Sequence, residues 1–246
     1  MNLKKIEPKY IKITNPRIGL IALGSDFVIE KDFNKIIQDK KIDFFVNRIK
    51  TYDPLNRENL IKMSEELTYV TSNILPNEDI DCIVYGCTSG TIASGFETIE
   101  KKIKNAKPKS KVITPSTAAI TALKKLNIKK ISLFTPYPKK LNDEVLSFFK
   151  DEKFLITSNY YLDIESDTDI WKVDPEYLFK VLVSMDHADS DALFISCTAL
   201  PVLQIIEKLE KKLKKFVLSS NQVLIWDTLE KIGQNNSING FGKLFK

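Results

Sequence analysis

The 246-residue sequence holds three cysteines, one histidine, eight glycines and only three arginines, and each scarcity closes off a class of function. With His187 alone, a metal site built from imidazoles is excluded, and Cys82, Cys87 and Cys197 lack the CxxC spacing that zinc prefers. Three cysteines make no disulfide framework, so free thiols in a reducing cytosol are expected. Neither GxGxxG nor GxxxxGK[ST] occurs, which counts against a dinucleotide or nucleoside-triphosphate site of the usual kind. The N-terminal stretch MNLKKIEPKYIKITNPRIG has no apolar core of signal-peptide length, so a cytoplasmic location and no membrane partner are expected. The net charge of +5 comes from 37 Lys+Arg against 32 Asp+Glu, but the lysines are scattered and the arginines are Arg17, Arg48 and Arg57. No basic stripe results, and no nucleic-acid partner is expected. A chain that is 43% hydrophobic and 28% charged is not disordered, and its length suits one large domain or two small ones.

Short apolar runs bounded by turn residues alternate with longer helical patterns: Ile18 to Leu23, Ile80 to Tyr85, Val112 to Ile113, Ile131 to Phe134, Ala192 to Ile195 and Phe216 to Leu218. Such alternation predicts a parallel α/β protein. Helices are expected at about Asp32 to Asp39 and from Arg57 to Ile74, where Leu60, Met63, Leu67, Val70 and Ile74 form a core-facing stripe. The run EKLEKKLKK from Glu207 reads as a solvated helical face with its leucines inward.

Three units recur in the same order. The strand-Cys-Thr unit at Cys87 and Thr88 returns at Cys197 and Thr198, an offset of 197 − 87 = 110. RIGLIALG from Arg17 is echoed by KISLFTPY from Lys130, an offset of 113, and VITPSTAAITAL from Val112 by FVLSSNQVLIWDTL from Phe216, an offset of 104. The repeat predicts two similar pseudo-symmetric lobes, each a parallel sheet flanked by helices, with a cleft between them. The first lobe is expected over residues 1–115, completed by 220–246, and the second over 116–219. Ligands of open parallel sheets bind outside the carboxyl ends of strands, which puts Cys87 and Cys197 on opposite sides of one cleft. Cys82, inside its strand, reads as a small buried hydrophobe.

A thiol in the turn entering a helix feels the positive end of the helix dipole, and a pKa lowered toward neutrality is expected for both cleft cysteines. Thr88, Ser89, Gly90 and Thr91 supply hydroxyls, backbone donors and a close approach, a combination that suits a carboxylate. The competing reading of CTSGT is a helix N-cap with a packed cysteine. Proton abstraction beside a carboxylate needs a base on one face of the carbon and an anion hole, and its return on the other face needs an acid. Two facing thiols, one ionised, do both jobs, so no cofactor is expected. A two-lobed cleft also suits a protein that captures small acids without turnover.

These residues carry a resemblance to the aspartate/glutamate racemase superfamily, in the branch of maleate isomerases, arylmalonate decarboxylases and the racemase-like proteins of ectoine utilisation. It runs from RIGLIALGSDFVIE through YGCTSGT, TPSTAAITAL, LFTPYP and ISCTALP to SSNQVLIW and GFGKLF. The resemblance implies a cofactor-independent isomerase or racemase with Cys87 and Cys197 as catalytic thiols and a small carboxylic acid as substrate. Thr88, Ser89 and the Tyr137 hydroxyl would hold the substrate carboxylate, with Thr198 and Asp26 completing the binding site. Tyr137 also reads as an aromatic lid or core residue. Arylmalonate decarboxylases keep only the cysteine equivalent to Cys197, so the presence of both thiols counts against decarboxylation, and a single-thiol decarboxylase or lyase is the alternative. The ectoine-utilisation proteins point to a small amino-acid-derived acid, and a homo-oligomer is left open.

Asp26 falls where maleate isomerases carry an asparagine. An ionised Asp26 would repel a second carboxylate and favour an ammonium or a hydroxyl; a capping Asp in the turn after the first strand is the other reading. Arg48 reads either as a partner for a distal substrate charge or as a surface arginine. Asn221 and Gln222 read either as shaping the cleft or as capping the helix that follows them, with capping expected, and His187 is expected to be solvated at the far end of the sheet.

Overall fold

The computed structural model describes residues 3–246. Among them, eight strands form two separate four-stranded sheets. β1 (Arg17–Leu23), β2 (Asp43–Ile49), β3 (Cys82–Tyr85) and β4 (Lys111–Ile113) lie in the order β2-β1-β3-β4. β5 (Lys130–Thr135), β6 (Leu155–Tyr161), β7 (Ala192–Ile195) and β8 (Phe216–Ser219) lie in the order β6-β5-β7-β8. Every pairing is parallel, and the second order is the first with four added to each number. The central strands are unbroken apolar runs because helices cover both faces of a parallel sheet.

The edge strands β2 and β6 escape a search for such runs. DFFVNRI and LITSNYY mix polar with apolar residues because one side of each is half-exposed. Arg48 therefore lies inside a strand.

The helices are α1 (Ile29–Ile37), α2 (Arg57–Ser64), α3 (Leu67–Ser72), α4 (Thr88–Ser94), α5 (Phe96–Ala106), α6 (Pro115–Lys125), α7 (Lys139–Asp151), α8 (Asp167–Ile170), α9 (Pro175–Ser184), α10 (Ile206–Leu213) and α11 (Ser220–Lys231). The helix expected from Arg57 to Ile74 is two, interrupted at Glu65 and Glu66, yet the stripe from Leu60 to Ile74 stays buried across the break. No described helix is long and apolar enough to cross a membrane.

The repeat extends to the caps. Thr114 closes the first turn of α6 by accepting from the Thr117 N–H, and Ser219 does the same for α11 with the Gln222 N–H. These equivalent caps are 219 − 114 = 105 residues apart, one more than the offset the sequence suggested. α11 packs against α6 and also against β3, β4 and α1. Its residues from Ser220 to Leu229 are all buried, which makes it the central pillar of the molecule.

His187 is a correction. It sits at the far end of the second sheet but is buried, 7% exposed. Its Nε2 lies 2.6 Å from the Leu182 carbonyl, which can only accept, so Nε2 carries the proton and Nδ1 accepts from the Ser132 hydroxyl at 2.8 Å. With both ring nitrogens satisfied, the imidazole packs without a desolvation penalty.

Candidate active site

Cys87 follows β3 directly and is the N-cap of α4. Its Sγ accepts the Gly90 N–H at 3.1 Å, and its carbonyl accepts the Thr91 hydroxyl at 2.7 Å. Gly90 leaves the room this needs: a Cβ there would stand 2.7 Å from Cys87 Sγ and 2.8 Å from the Tyr85 hydroxyl. Ser89 Oγ lies 3.9 Å from the same sulfur. The Tyr85 hydroxyl is buried, faces the Cys87 thiol and has no other partner.

Cys197 follows β7 at the equivalent place, but its local geometry differs. No helix starts there: Pro201, which lacks an N–H, interrupts the turn, and α10 begins only at Ile206. Cys197 has φ 96°, a conformation rarely adopted outside glycine. The Tyr137 hydroxyl and the Ala199 N–H lie near its thiol.

The two units are tied to each other. The Thr88 hydroxyl donates to Ser220 Oγ at 2.9 Å, and the Cys197 N–H donates to the same oxygen at 3.0 Å. In return, Thr198 Oγ1 donates to the Gly86 carbonyl at 3.1 Å, just before Cys87. Thr88 and Thr198, both singled out as candidate binding residues, thus spend their hydroxyl protons on bonds between the two units. Tyr137 is near both thiols, as is Asp167.

The expectation of lowered thiol pKa values is overturned. Cys87 is 2% exposed and Cys197 5%, and burial outweighs the donors around them. It pushes Cys87 up to about 12 and Cys197 well above its ordinary value, and the nearby Asp167 carboxylate adds to both. Both thiols are therefore held neutral by burial. Cys82 is wholly buried in β3, as its place in a strand predicted.

Asp26 takes the capping role weighed for it, and burial raises its pKa, which counts against the ionised reading. Oδ1 accepts from the Val28 and Ile29 N–H groups at 2.7 and 3.0 Å, capping the approach to α1. Oδ2 is buried without a donor. Arg48 is not free to meet a substrate: Nη1 donates to the Leu23 and Asp26 carbonyls, and Nη2 pairs with Glu30 at 2.7 Å. It clasps the β1–α1 loop that carries Asp26. Asn221 and Gln222 do not cap α11, since Ser219 does; Asn221 Nδ2 donates to Asp32 Oδ2 and the Thr198 carbonyl, and Gln222 Nε2 to the Phe241 carbonyl.

Four residues of this interior were not singled out from the sequence: Tyr85, Asp32, Asp167 and Ser220. Asp167 crosses between sheets, its side chain bonded to Ser25 and its N–H to Asp53. Burial raises Asp32 to about 7 and Asp167 to about 6. Sequence signals were present in YGC, SSNQ and the acidic ESDTD, but acidic and hydroxyl residues in loops are too common to select without coordinates. Above Asp32 a cavity of about 570 Å³ opens between Phe27 and Lys31 on one side and Trp171 and Pro201 on the other. Phe27 and Trp171 touch across its rim, ring centres 4.8 Å apart.

Two like α/β lobes with a thiol at the carboxyl end of the third strand of each define a class of two-thiol cleft proteins. The chain belongs to the arylmalonate decarboxylase family, whose model matches residues 92–245. It is 24% identical to a maleate isomerase of Geobacillus stearothermophilus over 93% of this chain and 96% of that one. It is 30% identical to the arylmalonate decarboxylase of Bordetella bronchiseptica over 54% of this chain and 56% of that one. Among solved structures, the maleate isomerase Iso of Pseudomonas putida S16 superposes with a TM-score of 0.87 at 22% identity, covering 94% of this chain and 98% of that one. A Nocardia farcinica maleate cis-trans isomerase, a cysteine-to-serine mutant with a covalently bound succinylcysteine intermediate, gives 0.85 at 19% identity over 94% and 98%.

Proposed function

We propose that the protein is an isomerase of small carboxylic acids that needs no cofactor and moves protons at the carbon next to a carboxylate with Cys87 and Cys197. The observation that carries this reading is that the two thiols follow equivalent strands and lie near the same Tyr137 hydroxyl, and that one serine oxygen joins their units by accepting from the Thr88 hydroxyl and the Cys197 N–H. One sulfur, as thiolate, takes the α-proton; the C–H electron pair passes into an enediolate held by the Ser89 and Tyr137 hydroxyls and by backbone donors at Thr88 and Ser89; the other thiol returns a proton to the opposite face. After turnover the two sulfurs have exchanged protonation states.

The family and the maleate isomerases among its relatives support the isomerase class. The Nocardia neighbour favours a second form of the same chemistry. In that form a thiolate of this chain would add to an alkene carbon, the π pair would take a proton at the adjacent carbon, and rotation followed by reversal would change the double-bond geometry. The lobes read as 1–115 with 220–246 and 116–219, with α11 packed on β3 and β4 of the first and on α6 and β8 of the second.

The test is incubation of small amino, hydroxy and unsaturated acids with the protein in deuterated water, followed by NMR. Label at the α-carbon is expected, and it should vanish in both Cys87→Ala and Cys197→Ala. Label that survives in Cys87→Ala but not in Cys197→Ala would replace this reading with single-thiol chemistry.

A further inference from the structure

The cavity of about 570 Å³ beside α1 is large enough for a small organic molecule, and the chemistry at the thiols makes no use of it. Lys31, Asp32 and Lys35 of α1 line one side, Trp171, Val173 and Pro201 the other. Neither thiol lines it, nor do Thr88, Ser89 and Tyr137. Asp32, 3% exposed, marks the boundary: its Oδ2 accepts from Asn221 Nδ2, whose other hydrogen goes to the Thr198 carbonyl on the Cys197 side. The concavity is thus a space of its own, walled from the thiols by Asn221.

The two walls differ in chemistry. Val28, Lys31, Asp32 and Lys35 recur at spacings of three and one, so one face of α1 and its N-cap form the first wall. Lys31 and Lys35 stand one turn apart on it, and neither makes an ion pair among the described residues. Lys31 Nζ rests 3.3 Å from the centre of the Phe27 ring. Like charges at this spacing repel each other, and an anion between them removes the repulsion. The other charges at the cavity are already engaged or neutral. Lys172 pairs with Asp169, Asp174 accepts the Glu176 and Tyr177 N–H groups, and burial raises Asp32 to about 7, so at pH 6 it is chiefly a neutral acid. The second wall is apolar, and Phe27, 53% exposed, meets Trp171 at the rim.

We propose that this cavity is a second binding site, for an organic anion whose charged head sits between Lys31 and Lys35 and whose apolar body lies against Trp171 and Pro201. An inorganic anion lacks the body, a neutral alcohol lacks the charge, and an organic cation meets two like charges. The site requires no reaction at the thiols, so it stands apart from the isomerase reading.

The probe is hexane-1-sulfonate, which has no carboxylate and so no proton for the thiols to move. It is titrated calorimetrically into the intact protein at pH 6, beside hexan-1-ol and inorganic sulfate, with tryptophan fluorescence followed in parallel. The sulfonate is expected to bind at least about ten-fold more tightly than either control. Changing the two exposed lysines together, Lys31→Gln with Lys35→Gln, should weaken it by about five-fold or more. Tyr137→Phe, at the thiols, should leave its affinity unchanged, and Trp171→Phe should remove the fluorescence response. A sulfonate that binds no more tightly than the alcohol, or whose affinity ignores the lysine pair, overturns the inference. Binding lost in Tyr137→Phe but kept in the lysine variant would put the anion at the thiols and overturn it as well.

Discussion

Ser220 concentrates more of the candidate site in one atom than any other residue. Its oxygen receives both the Thr88 hydroxyl and the Cys197 N–H, so Ser220→Ala would leave two buried donors unpaired. A loss of about 1–3 kcal/mol in urea unfolding is expected, with a larger loss of turnover because both thiol units shift. Asp32 makes a second prediction. Its folded pKa of about 7 lies above the ordinary carboxylate value, so the folded state binds the proton more tightly. The stability this gives is complete below about pH 4 and is lost as pH rises toward 7, and Asp167 acts in the same direction up to about pH 6. Asp32→Asn keeps an oxygen for Asn221 and removes the titration. Stability measured against pH should therefore fall less steeply from pH 4 to 7 in this variant than in wild type. An unchanged slope would mean that burial does not hold the proton on Asp32.

At the scale of elements, β3 and β7 deliver their thiols in different ways. Cys87 has φ −142°, ordinary extended backbone, and enters α4 at once, whereas Cys197 has φ 96° in a turn that Pro201 keeps from becoming a helix. Backbone strain of this kind costs about 1–3 kcal/mol and persists when the surroundings hold it, here the Ser220 oxygen on the Cys197 N–H. Glycine relieves it and alanine does not. In thermal unfolding Cys197→Gly should therefore be more stable than Cys197→Ala by about 1 kcal/mol, while at Cys87 the order should not favour glycine. The same order at both positions would show that the turn after β7 is unstrained.

For the whole molecule, the burial of both cleft thiols ties their reactivity to movement of the lobes. Cys87 and Cys197 are neutral and shielded, and the Phe27–Trp171 contact bridges the rim of the cavity between the lobes. Iodoacetamide should modify all three cysteines slowly in the empty protein. Cys87 and Cys197 need only lobe opening, whereas Cys82 sits between β1 and β4 in the first sheet and needs global unfolding. Mapped by mass spectrometry, labelling of the cleft pair should depend weakly on urea below the unfolding transition, and labelling of Cys82 strongly. Equal urea dependence at all three would place the cleft thiols in the same cooperative unit as the core.

Local patterns sufficed for the repeat. Apolar runs such as IVY and LFI report full burial on both faces, the Cys-Thr pairs that follow them mark strand ends, and a chain that says the same thing twice folds the same way twice. Edge strands β2 and β6 were less legible because half-exposed strands keep polar residues. What only the tertiary structure decided is electrostatic. Helix position alone predicts an acidic thiol at Cys87, but burial is a property of everything packed around the sulfur, and it pushes the pKa the other way. Likewise the choice between substrate partner and surface arginine for Arg48 depended on the Leu23 and Asp26 carbonyls that the folded β1–α1 loop presents to it, partners more than twenty residues away, whereas the cap that Asp26 makes to Val28 and Ile29 is local.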